Sequence, residues 1–359
     1  MYRLSLAIFF ILILSYKSAY ALTFPNACEK GQTFTLAAVG DILLHRPLQY
    51  VGLKKGFASL WETALPIFQS VDMTYGNLEG PINANNQVGS GFPLFGYPNS
   101  LASALKNSGF SIVSTANNHT LDQGPLGIDN TIMALNKASL SFVGTHTRNS
   151  TQPFVYITSK NNFTMAWISC ATHTNGISDP YHQVLYCYRS KDRQWIMDTI
   201  RNLKNKVDFI IVMPHWGEQY EYLPNQTQKE FAHSVLDAGA SVVLGSHPHV
   251  LQPFEKYLTK DGRSTAIMYS LGNFVSFQGT ANNRTSVILI LGFTKNNRGA
   301  FINGMRFVPI FMQNRSGFHQ MQLIRIPNDH SLPSQIVSRV LPMANVLYSN
   351  KIITNPECD

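Results

Sequence analysis

The stretch TQKEFAHSVLDAGASVVLGSHPHV, residues 227–250, decides the fold predicted for this chain. Phe231, Val235 and Ala238 fall on one side of a helix, because they recur at helical spacing. The run SVVL, residues 241–244, is short and apolar, which is typical of a buried strand. A helix followed at once by a buried strand predicts an α/β fold.

Strands and helices alternate in the same way before this stretch. Strands are predicted at FTLAAVGD (34–41), VDMTYGNLEG (71–80), FSIVSTANNH (110–119) and VDFIIVMPHW (207–216). Helices are predicted at FASLWETALPIF (57–68), SLASALKNSG (100–109) and GIDNTIMALNKASL (127–140). This alternation predicts a largely parallel sheet.

The pattern changes after about residue 264, where predicted strands follow one another with little helix between them. They are STAIMYSLGNF (264–274), TSVILILGF (285–293), GMRFVPIFM (304–312) and FHQMQLIRI (318–326). We expect these strands to be antiparallel and to pack on the first sheet or extend it.

The composition suits an anionic ligand but not a nucleic acid. Of 359 residues, 44% are hydrophobic and 13% are charged, so the chain can form a large core. Its 28 Lys and Arg residues outnumber the 20 Asp and Glu residues, and the net charge of +8 favours an anionic substrate or polymer. Because the basic residues are scattered, we expect no nucleic-acid partner. The oligomeric state is not indicated.

The chain begins with the features of a secretory signal peptide. Arg3 precedes an apolar run at 4–14, and AYA at 19–21 has the form of a cleavage site. We therefore predict a signal peptide at 1–21, an N-terminal extension at 22–33, and export to the periplasm or the extracellular space. The alternative is an uncleaved N-terminal membrane anchor.

Four cysteines favour two disulfides in an exported protein. Three pairings are possible. The preferred prediction joins Cys170 to Cys187 and Cys28 to Cys358, and free structural thiols are the alternative. The spacing of these cysteines is not typical of a metal site.

Polar side chains gather at the carboxyl ends of the predicted strands, where α/β sheets bind their ligands. They are Asp41, Glu79, Asn118 with His119, His215, and His247 with His249. Taken singly, Asp41 could be a helix N-cap and Glu79 a turn residue. As a set, these nitrogen and oxygen donors suit Zn, Mn, Fe or Ni better than Ca. The sequence therefore predicts a site for a divalent metal, with one or two ions.

The motifs that contain these residues resemble those of the CapA family, the poly-γ-glutamate capsule synthesis proteins. They are AVGDILLHR (38–46), GNLEGPI (76–82), STANNHTLDQG (114–124), MPHWGEQY (213–220), GSHPHVLQPFE (245–255) and YSLGNFVS (269–276). That family is similar to calcineurin-like metallophosphoesterases, and the resemblance implies a four-layer α/β/β/α sandwich around a two-metal site. It implies one CapA-like domain at 34–293, with a β-rich C-terminal extension at 294–359 packing on it.

The resemblance also implies a role for each motif residue. The metal ligands would be Asp41, Glu79 near the position of the bridging carboxylate, Asn118, His215, His247 and His249. His119 would be the transition-state histidine that protonates the leaving oxygen, and Asp122 would orient its imidazole. The residues themselves, apart from the resemblance, suggest substrate-binding candidates. Arg46 and Arg284 could pair with an anionic group of the substrate. Glu218 and Tyr220 would contact either the substrate or the metal ligands, and Asn273 would contact the substrate or serve as a turn residue.

Two motifs depart from the phosphoesterase pattern. Those enzymes begin with D-x-H, whereas the third position here is Leu43, and His45 lies two residues further on. Their second motif is GDxxD, whereas this chain has GNLEG at 76–80. One metal position therefore lacks a usual ligand, so the site would hold one ion, bind the second differently, or prefer another metal.

The function implied is that of an exported protein with a phosphoesterase-like, metal-dependent hydrolase site. It would act in the synthesis, release or export of poly-γ-glutamate or a related anionic envelope polymer. The substrate would be an anionic polymer or a phosphoester, and the partners would be membrane subunits of capsule synthesis. Hydrolysis of a γ-glutamyl amide is open to the same site. Two non-enzymatic classes remain: a polyanion-binding accessory module with a degenerate metal site, and a structural envelope protein with a relict site.

Overall fold

The computed structural model describes residues 31–315 and 318–323 of the chain. The strands there are β1 (Gln32–Ile42), β2 (Met73–Leu78), β3 (Ile112–Ser114), β4 (Ser141–Val143), β5 (Val155–Lys160), β6 (Phe163–Ala171), β7 (Phe209–His215), β8 (Val242–Leu244), β9 (Phe254–Leu258), β10 (Ser264–Met268), β11 (Asn273–Val275), β12 (Thr285–Asn296), β13 (Gly299–Arg315) and β14 (Phe318–Leu323). The helices are α1 (Arg46–Lys55), α2 (Leu65–Ser70), α3 (Ser100–Asn107), α4 (Gly124–Lys137), α5 (Ser190–Leu203) and α6 (Gln226–Ala238). Short 3₁₀ turns lie at Phe57–Leu60, Glu62–Ala64 and Asn282–Arg284.

The first sheet has the order β14-β13-β12-β1-β2-β3-β4, and β11 also pairs with β1. Strands β1 to β4 pair in parallel, as the alternation of strands and helices predicts. Strands β12, β13 and β14 add antiparallel pairs on the other side of β1. The strands from the end of the chain therefore extend the first sheet, in agreement with the prediction.

The second sheet has the order β5-β6-β7-β8-β10-β9. Strands β6, β7, β8 and β10 are parallel, and the edge strands β5 and β9 are antiparallel to their neighbours. The stretch 264–274, predicted as one antiparallel strand, divides into β10 and β11, and its antiparallel pairing is confirmed only for β10 with β9. Strand β10 pairs in parallel with β8, and β11 pairs in parallel with β1, so the two strands of this stretch belong to different sheets.

Three apolar cores define four layers. The central core joins the inner faces of the two sheets, for example through Leu36 of β1 and Trp167 of β6. A second core packs α1 to α4 on the outer face of the first sheet, and a third packs α5 and α6 on the second sheet. The predicted four-layer α/β/β/α arrangement is thus confirmed within the described residues.

Local chemistry explains where the helices differ from the prediction. Helix α1 was not predicted. Pro47 in its first turn is a signal for the start of a helix, because the N–H that proline lacks would have no partner there. The stretch 57–68 was predicted as one helix but forms two 3₁₀ turns followed by α2. Pro66 sits in the first turn of α2, and its ring would clash with the preceding turn of a longer helix.

Cys170 and Cys187 form the disulfide predicted for them. The signal peptide at 1–21, most of the extension at 22–33, and the pair Cys28–Cys358 lie outside the described residues. No helix in the described part of the chain is both long and apolar enough to cross a membrane. The predicted domain boundary at 293/294 falls inside β12, and the division of the chain into two parts stays a prediction.

Candidate metal centre

The carboxyl ends of strands from both sheets meet at one edge of the sandwich. Asp41 lies near the end of β1, in register with Asn77 of β2 on one side and Asn273 of β11 on the other. Glu79 follows β2 directly, and His215 ends β7. Asp41 and Glu79 come together because the parallel strands β1 and β2 end at a common edge, and His215 reaches them from the end of β7 in the second sheet.

Glu79 lies at the centre of this cluster and is fully buried. Its Oε1 atom is 3.6 Å from Nε2 of His215 and 3.8 Å from Nε2 of His249. Neither Glu79 oxygen has a hydrogen-bond partner among the described residues. Burial, and then the neighbouring Asp41 carboxylate, raise the pKa of Glu79 well above its ordinary value. A buried carboxylate without partners is costly unless a cation neutralises it.

Glu79 belongs to two groups of possible metal ligands. Asp41, Glu79 and His249 form one group, and Glu79, His215 and His247 form the other. In each group the donor atoms lie within 4.8 Å of one another, and all five residues are buried. We call the first group the Asp41 subsite and the second, with Asn118 added, the Asn118 subsite.

The Asn118 subsite has four donors. Nε2 of His215 lies 2.8 Å from Oδ1 of Asn118 and 3.1 Å from Nδ1 of His247. Burial, and then the neighbouring histidines, lower the pKa of His215 and of His247 well below the ordinary value. Both imidazoles are therefore neutral near pH 7, which is the form that binds metal ions.

The Asp41 subsite has three donors. Nδ1 of His249 lies 2.9 Å from Oδ1 of Asn273 and 3.3 Å from Oδ2 of Asp41, so Nε2 of His249 is turned toward Glu79. Burial lowers the pKa of His249, but the Glu79 and Asp41 carboxylates more than offset this and raise it to about 9. Leu43, in the position of the missing ligand, is buried in the core beneath the helices.

His45 does not replace the missing ligand through its Nδ1 atom. That atom lies 3.3 Å from the Leu43 carbonyl oxygen and accepts the Phe277 N–H at 3.3 Å. Burial lowers the pKa of His45 to about 4, which keeps the ring neutral. Its ring contacts the edge of Phe95, whose ring in turn contacts His119.

The backbone is strained at His247 and His249, in the turn after β8. His247 has φ of 99° and His249 has φ of 58°, although neither residue is a glycine. Positive φ costs roughly 1–3 kcal/mol for such residues and is concentrated at functional sites. The turn after β8 thus holds the two imidazoles toward the cluster rather than relaxing to an ordinary loop.

His119 and Asp122 form a buried pair next to the cluster. The Nδ1–H of His119 donates to Oδ2 of Asp122 at 2.7 Å, which leaves Nε2 of the ring free. The same carboxylate oxygen accepts the Phe95 N–H at 2.6 Å. The predicted carboxylate–histidine contact is therefore present.

The candidate substrate-binding residues are placed differently from one another. Asn273 is buried and orients His249, while its own Nδ2 donates to the Asn283 carbonyl oxygen at 2.8 Å. Tyr220 is exposed, with its ring 6.1 Å from the ring of His249. The guanidinium of Arg284 lies over the ring of Phe311, 4.9 Å from its centroid.

Arg46 and Glu218 are exposed. A guanidinium nitrogen of Arg46, at the start of α1, lies 3.4 Å from the hydroxyl oxygen of Tyr50. Burial lowers the pKa of His173 below its ordinary value, and the nearby Glu218 carboxylate offsets only part of this. Their roles toward a substrate stay predictions.

Sequence reasoning missed several residues of the site. Nδ2 of Asn77 donates to Oδ1 of Asp41 at 2.8 Å and lies 3.2 Å from Nδ1 of His215. His173 packs its ring 5.5 Å from the ring of His247. Asn175 accepts a hydrogen bond from Asn118 at 3.3 Å. His173 lies two residues beyond β6, so it follows the same strand-end pattern as the residues that were found.

One sequence family matches the part of the chain that carries this site. Residues 35–278 match the model of the family described as bacterial capsule synthesis protein PGA_cap. The chain belongs to this family. Its strand-end motifs, from Asp41 to Asn273, all fall inside the matched segment.

Named relatives of this capsule synthesis family extend over most of the chain. The PGA biosynthesis protein CapA of Bacillus subtilis is 28% identical over 302 residues, which cover 83% of this chain and 78% of that protein. The capsule biosynthesis protein CapA of Bacillus anthracis is 30% identical over 279 residues, which cover 74% of this chain and 65% of that protein. Among solved structures, the NAD nucleotidase NadN of Haemophilus influenzae has a TM-score of 0.48 and 13% identity, covering 89% of this chain and 64% of that one.

Proposed function

We propose that this protein is a metal-dependent hydrolase of the cell envelope that acts on an anionic polymer of the poly-γ-glutamate type or on a phosphoester. The observation that carries the proposal is the buried carboxylate of Glu79, which lies without hydrogen bonds between His215 and His249. Nitrogen and oxygen donors of this kind suit Zn, Mn or Fe. Asp41, Glu79 and His249 would hold one ion, and Glu79, Asn118, His215 and His247 would hold a second.

The substrate class is inferred from the relatives. The Bacillus subtilis protein is named for PGA biosynthesis and the Bacillus anthracis protein for capsule biosynthesis. The net charge of +8 is favourable for an anionic polymer. The same relatives support an envelope location. Export through the secretory pathway is supported by the signal-peptide features at 1–21, and association with membrane subunits of capsule synthesis by the family resemblance.

The chain's own residues would divide the work of hydrolysis. Divalent ions, when bound, activate water and stabilise charge on the oxygens of the scissile group. His119, protonated at both ring nitrogens, would donate the Nε2 proton to the leaving oxygen and become the neutral ring that keeps Nδ1–H, while Asp122 would accept Nδ1–H throughout and orient the ring. Asn273 would keep Nε2 of His249 directed into the site.

A metal and substrate assay tests the proposal. Purified protein is supplied with Mn²⁺, Zn²⁺ or Fe²⁺, and bound metal is measured together with hydrolysis of bis(p-nitrophenyl) phosphate and of poly-γ-glutamate. We expect one to two ions per chain, and turnover of at least one substrate that is lost with chelator and in His249→Ala. Stoichiometric metal without any turnover would refute the hydrolase.

A second candidate function is supported by the Asp41 subsite, which has only three donors because Leu43 is buried in the core. A site of this kind could serve a polyanion-binding accessory module instead of an enzyme. Binding of poly-γ-glutamate that is weakened by salt and unaffected by chelator, in protein without turnover, would favour this function.

A further inference from the structure

The disulfide between Cys170 and Cys187 closes a loop that reaches the metal centre. Cys170 lies in β6, one residue before its end, and both cysteines are fully buried. The enclosed residues, 171–186, are called the disulfide loop below. This loop contributes two side chains to the site, His173 and Asn175.

Hydrogen bonds within the disulfide loop fix its shape. The hydroxyl of Thr174 donates to the Ile177 carbonyl oxygen at 2.7 Å. The carboxylate of Asp179 accepts the backbone N–H groups of Gln183 and Val184 at 2.9 and 3.0 Å. The tip of the loop is therefore held by groups other than the site itself.

Asn175 contacts the amide of Asn118 from the side opposite the metal centre. The Nδ2 of Asn118 donates to Oδ1 of Asn175 at 3.3 Å, while Oδ1 of Asn118 lies 2.8 Å from Nε2 of His215. An asparagine amide can be turned either way round, and only its oxygen can bind a cation. With its NH₂ group engaged by Asn175, Asn118 presents its oxygen to the Asn118 subsite.

His173 fixes the position of Asn175. The backbone N–H of Asn175 donates to Nδ1 of His173 at 3.2 Å, and the ring of His173 packs edge-on against His247. Asn175 itself has φ of 50°, a conformation that asparagine tolerates better than most residues. The disulfide loop thus touches the Asn118 subsite at both Asn118 and His247.

We infer that Asn175 is a positioning residue that orients Asn118 as a metal ligand, and that the disulfide loop is therefore part of the metal centre. The inference rests on the proposed function for the presence of the ion, but it concerns ion affinity and not turnover. Partners that orient ligands in this way typically change metal affinity by about 10–100-fold when they are removed.

A double-mutant cycle on metal affinity tests the inference. Mn²⁺ binding is measured by competition with a chromophoric chelator in wild type, Asn118→Ala, Asn175→Ala and the double variant. Asn162→Ala is the matched control, because Asn162 is also an exposed asparagine with positive φ, at 64°, in the β5–β6 turn. Thermal unfolding of each metal-free variant checks that the fold is retained.

We expect Asn175→Ala to weaken one binding step about tenfold or more and to leave a second step, where present, within about threefold. In the Asn118→Ala background the same substitution should have no further effect, since the ligand that it orients is gone. The control should bind like wild type.

Two results would overturn the inference: wild-type affinity in Asn175→Ala, or losses that add fully in the double variant. Metal binding without turnover in wild type would refute the hydrolase and leave the role of Asn175 intact. A wild type that binds no ion would overturn both.

Discussion

The Oε1 atom of Glu79 lies 3.6 Å from the Nε2 atom of His215, in a site where both residues are buried. No hydrogen bond in the described part of the chain compensates the Glu79 carboxylate. Because Glu79 belongs to both groups of possible ligands, the two subsites share one carboxylate. Substitution of this single residue should therefore affect every ion that the site binds.

Glu79→Gln should abolish tight metal binding at both subsites, because an amide is a weaker, uncharged ligand. The metal-free variant should unfold close to metal-free wild type, because relief from burying the carboxylate is offset by loss of its interaction with His249. Metal analysis and calorimetry measure the two effects. Glu255→Gln, at a half-exposed carboxylate paired with His233, is the control and should retain metal. Full occupancy in Glu79→Gln would contradict the shared-carboxylate arrangement.

Leu43→His should not restore a fourth ligand to the Asp41 subsite. Leu43 is buried in the core beneath the helices, so an imidazole there would lie in apolar surroundings. We expect the unfolding free energy to fall by about 3 kcal/mol or more, with unchanged metal stoichiometry. Leu43→Met, which conserves volume, should cost less than about 1.5 kcal/mol. A stable variant with tighter metal binding would show that the position faces the site.

The convergence of Asp41 and Glu79 could be predicted from the sequence, because the parallel strands β1 and β2 end at one edge. His215 ends a strand of the second sheet, and its place beside them was predicted correctly only together with the sandwich that the family resemblance implies. The contribution of the disulfide loop could not be predicted, since strand β6 lies in a stretch without clear alternation and was not identified. Without that strand, His173 and Asn175 had no predicted place. Asn77 was missed for another reason: it lies within β2, and only the register with Asp41 brings its amide to the site.

The division into two sheets depends on contacts that are distant along the chain. The short strands β10 and β11 are separated by only a few residues, yet they join different sheets. Strand β10 pairs with β8 at Val242, and β11 pairs with β1 at Asp41. The local sequence pattern cannot show which of these distant strands is the partner. The four layers were predicted from the family resemblance and not from periodicity.

Metal affinity should rise with pH between about 7 and 9. The pKa of His249 is raised to about 9, so the Glu79–His249 pair holds a proton at pH 7 that a metal ion must displace. Release of one proton gives about a tenfold gain in affinity per pH unit below pH 9 and a smaller gain above it. Calorimetry in two buffers of different ionisation enthalpy counts the released protons. Affinity independent of pH over this range would show that the pair carries no proton.

Asp122→Asn should lower kcat by about 100-fold or more and leave metal stoichiometry unchanged. The substitution removes the carboxylate that accepts Nδ1–H of His119 at 2.7 Å, and general acid catalysis contributes on this scale. Bis(p-nitrophenyl) phosphate turnover and metal analysis are the measurements. Asp198→Asn, at an exposed carboxylate paired with Arg201, is the control and should retain activity. Equal kcat in both variants would mean that the Asp122 carboxylate is not needed for His119 to act as the acid.

Removal of the disulfide should destabilise the fold and weaken one metal-binding step together. The double substitution Cys170→Ala and Cys187→Ala opens a loop whose ends are 17 residues apart in sequence. Loop-closure entropy predicts that the free energy of unfolding falls by about 3 kcal/mol. Because the opened loop carries Asn175, the amide of Asn118 loses a fixed partner, and affinity at its subsite should fall. Cys170→Ala alone should match the double variant closely, since either change breaks the bond. Denaturant unfolding and chelator competition separate the two effects, and a destabilised variant with wild-type affinity would show that the loop's own hydrogen bonds suffice to hold Asn175.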